Sequence, residues 1–243
     1  MKNASAMAEN SDSKVRAIVF DLDDTLFAER DYIRSGYHAV AEHLRDTSGR
    51  DEPFEQWLWK RFLAGQSDRA FDALNEQFDL GLSEEGIREL VGVYRSHRPD
   101  ITAYEGAAEM LARFRPAYHL GLLSDGYMPA QRLKLSAIGL ERFFDAVVFT
   151  EELGREAWKP SEAGFELISK QLDVPHKHCA YVADNPAKDF VAPNRLGWRT
   201  VQFLRPGQIH VHKPAPERGR PQHVVYLFGD IHKVLARGRG PIR

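Results

Sequence analysis

The run Ala17-Ile18-Val19-Phe20-Asp21-Leu22-Asp23-Asp24-Thr25-Leu26 constrains this chain more than any other. A β-prone apolar stretch ends abruptly in three carboxylates within four positions. Apolar residues followed by clustered acids predict a buried parallel strand whose carboxyl end opens into a site. Asp21 and Asp23 are two residues apart, so in an extended chain they face the same way. Like charges that close are costly unless something neutralises them. A divalent cation that prefers oxygen, Mg²⁺ above all, would do so. The expectation is a metal-dependent enzyme.

At 243 residues the chain suits one large domain or a domain with an insertion. Lys and Arg total 33 against 35 Asp and Glu, which offers no electrostatic footprint for nucleic acid or an anionic membrane. The single cysteine, Cys179, excludes an intrachain disulfide and points to a reducing compartment. The polar segment 1–14 lacks the apolar core of a signal peptide. No stretch approaches the roughly 18 apolar residues of a membrane span. A cytoplasmic protein is expected, with flexible tails at 1–14 and 238–243.

Apolar β-like runs recur at Ala17–Phe20, His119–Leu123, Ala146–Phe149, Cys179–Val182 and Thr200–Leu204. Helical patterns at Gly106–Phe114, Pro129–Ala137, Ser161–Leu172 and Ala187–Leu196 separate them, and the last run, Val224–Leu235, reads as a further helix. This alternation predicts an α/β fold with a parallel sheet, helices on both faces and a site beyond the strands' carboxyl ends. Between residues 28 and 98 the rhythm breaks. Tyr32–Leu44, Phe54–Leu63, Ala70–Phe78 and Glu84–His97 carry helical spacing, with Ser83 as a cap. A helical insertion of this kind, directly after the first strand, would serve as a lid.

Four polar clusters fall at or near the predicted strand ends. In the first, Asp21 at the end of a rigid strand can act as nucleophile and form an acyl-phosphate. Asp23 can protonate the leaving oxygen and then activate water. In the second, Ser124-Asp125-Gly126, a hydroxyl and a backbone amide can hold non-transferring phosphoryl oxygens, although Ser-Asp-Gly is also a common turn. The third, Trp158-Lys159-Pro160, offers a lysine to stabilise charge on nucleophile and phosphate, although most lysines are surface residues. In the fourth, Tyr181-Val182-Ala183-Asp184-Asn185-Pro186-Ala187-Lys188-Asp189, Asp184 would complete the metal site with Asp189 about a turn further on. Helix capping is the alternative for both acids.

The ordered set resembles the haloacid dehalogenase-like (HAD) hydrolase superfamily, whose first motif is Asp-x-Asp-x-Thr, over about Val15 to Leu204. The resemblance implies a Rossmann-like parallel-sheet core (15–27 and 99–237), an inserted helical cap of the C1 type (28–98), Mg²⁺ and an aspartyl-phosphate intermediate. It makes Asp21 the nucleophile and Asp23 the general acid/base. Ser124, Asp125 and Lys159 would form the phosphate-binding positions. Asp21, the main-chain carbonyl of Asp23, and Asp184 would ligate the metal, with Asp189 supporting and Thr25 bracing the loop. Three positions depart from the commonest pattern: Asp125 stands where asparagine is usual, Ala183 where glycine is frequent, and Glu162 where a second proline is expected.

Family dehalogenases lack the second motif-one aspartate and use no metal, so Asp23 argues against that reaction. Phosphonatases need a cap lysine, and Lys60 is the only lysine between Ala28 and Arg98. The resemblance therefore implies hydrolysis of a small phosphate monoester. The run Asp184–Phe190 with Leu196-Gly197-Trp198-Arg199-Thr200 is similar to HAD proteins of surface-polysaccharide and nucleotide-sugar pathways, which implies sugar or polyol phosphates. A phosphomutase would retain the same residues, and a non-catalytic binding protein of this fold would be expected to lose them. His176, His178 and Cys179 fit no structural zinc spacing. Trp57 and Trp59 read as core, and Arg34, Arg61 and Arg69 as solvated helix faces.

Overall fold

The computed structural model describes residues 14–210 and 212–236. The expected tails therefore lie outside the described residues, apart from Lys14. The chain forms two compact units. One takes in residues 14–29, 102–126 and 138–236; the other takes in residues 30–101 and 127–137.

The first unit is built on a parallel sheet of six strands in the order β3-β2-β1-β4-β5-β6. The strands are β1 (Ala17–Phe20), β2 (His119–Ser124), β3 (Ala146–Phe149), β4 (Cys179–Ala183), β5 (Arg199–Phe203) and β6 (His223–Val225). From β1 the chain moves to β2 on one side and later to β4 on the other, which makes the carboxyl end of β1 a topological switch point. All four β1 residues are fully buried, as expected for a central strand covered on both faces.

Register decides which side chains share a face. Ala17 pairs with Cys179 and Val19 with Tyr181. These four join Phe165, Ile168 and Trp198 in one apolar cluster. Phe165 and Ile168 lie on the helix Ala163–Gln171, and at Gly121 of β2 an added Cβ would stand 2.8 Å from Ile168 Cδ1. Glycine there lets the helix lie close on the sheet.

The second unit is helical. Labelled in chain order, its helices are α1 (Glu29–Ser48), α2 (Phe54–Leu63), α3 (Ala70–Phe78) and α4 (Glu84–Ser96). The first unit contributes α5 (Ala107–Phe114), and α6 (Ala130–Ala137) lies in the helical unit. Then follow α7 (Ala163–Gln171), α8 (Val191–Arg195) and α9 (Phe228–Ala236) in the first unit. Tyr37, Val40, Leu44, Phe54, Leu58 and Leu74 form the helical unit's core, with Trp57 and Trp59 packed partly against it. Ser83 caps α4, its hydroxyl accepting the Gly86 N–H at 3.3 Å. Arg34 and Arg69 are exposed, while the Arg61 guanidinium lies over the Trp57 ring at 5.3 Å.

Two expectations need correction. The run Val224–Leu235 is not one helix: His223–Val225 adds β6 beside β5, and α9 begins only at Phe228. The β-branched pair Val224-Val225 favours the strand. The helix expected from Ala187 starts at Val191 instead, because Asn185 closes the chain into a turn. Its side-chain Oδ1 accepts the Ala187 N–H at 3.1 Å and its carbonyl accepts the Asp189 N–H at 3.1 Å.

Candidate active site

The site is assembled at the carboxyl ends of β1, β2 and β4, all within the sheet unit. Asp21 prolongs the β1 alternation, so it follows Ala17 and Val19 onto the face of Tyr181. Its N–H still donates to the Val182 carbonyl at 2.9 Å. Beyond it the strand stops. Thr25 and Leu26 both donate N–H groups to the Leu22 carbonyl, and Asp24 takes a left-handed φ of 52°. This turn, rather than a continuing strand, sets the direction of Asp23, which is half-buried and forms a bridge with Phe27.

Lys159 is the hub. Its side chain is fully buried, with Nζ 2.6 Å from Asp21 Oδ1, 2.8 Å from Asp189 Oδ1 and 2.9 Å from the Tyr181 hydroxyl. Burial alone would drive the ammonium to lose its proton, but the carboxylates of Asp189 and Asp21 hold it well above its ordinary range. Burial pushes Asp21 up to about 7 against the pull of Lys159. Tyr181 is also raised, first by burial and then by Asp21.

Asp21, Asp184 and Asp189 bring carboxylate oxygens within 4.8 Å of one another. Asp189 is held from two sides, by Lys159 and by the Asn185 N–H at 2.9 Å on Oδ2. Like Asp189 Oδ1, which the Lys159 ammonium meets as an ion pair only, the buried Oδ2 of Asp184 accepts no hydrogen bond among the described residues. Burial first, and then the charges of Asp189 and Asp21, push the Asp184 carboxyl well above the usual carboxylate range. A buried acid with an open oxygen and like charges around it fits a bound cation, and an all-oxygen donor set suits a hard one such as Mg²⁺.

Ser124 and Asp125 are buried at the end of β2. Asp125 does not stand as a bare extra acid. Its Oδ1 accepts the Thr150 hydroxyl at 2.8 Å and the Lys159 N–H at 3.2 Å, while Oδ2 accepts from Lys188 Nζ at 2.9 Å. Burial acts to raise its carboxyl, but Lys159, Lys188 and these hydrogen bonds together hold it below its ordinary value. Thr25 is fully buried beside the acids, its hydroxyl without a hydrogen-bond partner among the described residues.

Residues to which the sequence assigns no role complete the frame. Tyr181 looks like strand filler, yet its hydroxyl meets Lys159, Asp21 and the Leu123 carbonyl. Gln208, five residues beyond the end of β5, locks the motif-one turn. Its Nε2 donates to the carbonyls of Asp24 (2.6 Å) and Phe203 (3.0 Å), and its Oε1 accepts the Arg205 N–H at 2.8 Å. The Asp24 carboxylate accepts the N–H groups of Glu29 (2.9 Å) and Ile209 (2.7 Å), although burial still pushes it up to about 6. Gln208→Ala is expected to cost about 2–3 kcal/mol, because two buried carbonyls lose their donor. Urea denaturation checks this, and an unchanged midpoint would remove Gln208 from the frame.

His176 and Cys179 are engaged elsewhere. His176 Nδ1 accepts the Trp198 indole N–H at 2.9 Å, and the buried Cys179 thiol is pushed up to about 12, chiefly by burial. Among the described residues no helix is long and apolar enough to cross a membrane.

This arrangement can be compared with known proteins. A glyceraldehyde 3-phosphate phosphatase from Methanopyrus kandleri is 27% identical over 199 residues, covering 79% of this chain and 84% of the relative. A phosphoserine phosphatase from Thermus thermophilus is 28% identical over 231 residues, covering 79% and 91%. The structure of a protein described as a predicted phosphoglycolate phosphatase, from Haemophilus somnus, superposes with a TM-score of 0.66 at 20% identity, covering 90% of this chain and 97% of that one. The sequence profile of the haloacid dehalogenase-like hydrolases matches residues 15–197. With most of its length inside that profile, the chain belongs to the haloacid dehalogenase-like hydrolases.

Proposed function

We propose that this hydrolase releases phosphate from a small phosphate monoester, a sugar or polyol phosphate by preference, by way of a phosphoryl group carried on Asp21. The observation that carries the reading is the contact of the buried Lys159 ammonium with Asp21 Oδ1 at 2.6 Å. A strand-end carboxylate held by one lysine has a fixed direction of attack and a compensated charge. The relatives named above, phosphatases of small phosphorylated metabolites, support the substrate class.

In this reading Asp21 attacks phosphorus and the leaving oxygen departs with a proton from Asp23. Asp23, now a base, then removes a proton from water, which attacks the aspartyl-phosphate and frees Asp21. Ser124 at the end of β2 offers its hydroxyl to the phosphoryl oxygens. Lys159 balances the charge of Asp21 and of the group attached to it. Asp21, the main-chain carbonyl of Asp23, and Asp184 would hold Mg²⁺, with Asp189 in support. When bound, the ion supplies charge neutralisation between nucleophile and phosphoryl oxygens. The Thr25 N–H closes the turn on the Leu22 carbonyl. The inserted helices, residues 28–98, act as the cap that selects the leaving group.

The test is phosphate release from a panel of sugar, polyol and other small phosphate monoesters with Mg²⁺ present. Release is expected from a few related compounds, to fall at least about a hundredfold with EDTA and to return with added Mg²⁺. Activity indifferent to EDTA would contradict the metal assignment, and an inert panel the substrate class.

A further inference from the structure

We propose that Lys188 is a second phosphoryl-binding cation of this site, and that Asp125 is the residue that positions it. The inference rests on the phosphatase reading above and deepens it.

The argument starts from what Lys159 has left to offer. An ammonium carries three N–H donors. Lys159 donates to Asp21 and to the Tyr181 hydroxyl and stands 2.8 Å from the Asp189 carboxylate, and its side chain is fully buried. It is committed to the nucleophile. A phosphoryl group arriving at Asp21 brings further negative oxygens into a site already holding several carboxylates. Those oxygens need a cation with unused donors and an open side.

Lys188 meets both conditions. Its Nζ donates to Asp125 Oδ2 at 2.9 Å, and its side chain keeps 35% of its surface exposed, against 0% for Lys159. Asp125 directly follows Ser124 on the strand end where phosphoryl oxygens are expected. Its other oxygen is anchored from within by the Thr150 hydroxyl and the Lys159 N–H. With both oxygens taken, the carboxylate turns no lone pair toward an anion as its main contact, and it holds one end of a flexible lysine still. The acid standing where asparagine is usual and the lysine just before Asp189 thus form one device. A tethered ammonium loses less freedom when it meets the phosphoryl group than an untethered one would.

The test is calorimetric titration of inorganic phosphate, with Mg²⁺ present, into the full chain and three variants: K188M, D125N and D125N/K188M. Phosphate is expected to bind K188M about tenfold more weakly than wild type, the effect of one charge-assisted hydrogen bond. A smaller loss, about threefold, is expected between D125N and D125N/K188M, where the untethered ammonium gives up more freedom to meet the anion, and K188R should recover most of the K188M loss. If K188M fails to fold because Asp125 is left buried and unpaired, the D125N pair still carries the comparison. A loss that vanishes in the D125N background would overturn the proposal, since Lys188 would then only neutralise Asp125, and a loss undiminished there would overturn the positioning role of Asp125. Phosphate that binds wild type and K188M equally overturns this inference alone. A wild type that binds no phosphate overturns the phosphatase reading together with it.

Discussion

Asp21→Asn is expected to fold like wild type and to release phosphate at least about 10⁴-fold more slowly, the scale on which removing a nucleophile acts. An amide has no negative oxygen with which to attack phosphorus. The fold tolerates the change because Lys159 keeps Asp189 at 2.8 Å and the Tyr181 hydroxyl at 2.9 Å. It also removes a carboxyl whose burial pushes it up to about 7, so no favourable charge is lost without compensation. Circular dichroism and phosphate release on the same preparation check both halves. Substantial turnover would take the nucleophile's role away from Asp21.

Lys159→Met produces the opposite pattern, a loss of stability as well as of activity. It leaves Asp21 and Asp189 buried with no ammonium between them, and breaking a buried pair from one side costs about 3–5 kcal/mol. Turnover is expected to fall by about 10²–10³-fold, as when one preorganised electrostatic contact is removed. Urea denaturation in metal-free buffer reads the first effect and initial rates with Mg²⁺ the second. A variant as stable as wild type would mean that the carboxylates do not depend on Lys159 for their charge balance.

The strands were the most legible part of the fold. β1 and β3 begin and end where their apolar runs do, because a strand buried on both faces needs an unbroken apolar run. Helix ends were less legible: Asn185 and its turn consume residues that carry a helical pattern. The site's acids announce themselves by crowding, since carboxylates at a strand end have few other uses. What spacing cannot give is partnership across the sheet. Tyr181 becomes part of the site only because β4 lies beside β1 with Val19 opposite it, and strand order is not written in local sequence. Gln208 is 184 residues from Asp24, and Lys188 is 63 from Asp125; neither pair has a local signal.

The most direct measurement of the central claim is borohydride trapping during turnover of the best substrate of the panel, followed by peptide mass spectrometry. Hydride reduces an acyl-phosphate to the alcohol, so a phosphoryl group carried on Asp21 predicts homoserine at position 21 and at no other acid. Phosphate released steadily while every aspartate, Asp21 included, stays unreduced would contradict the account and point to direct attack by water.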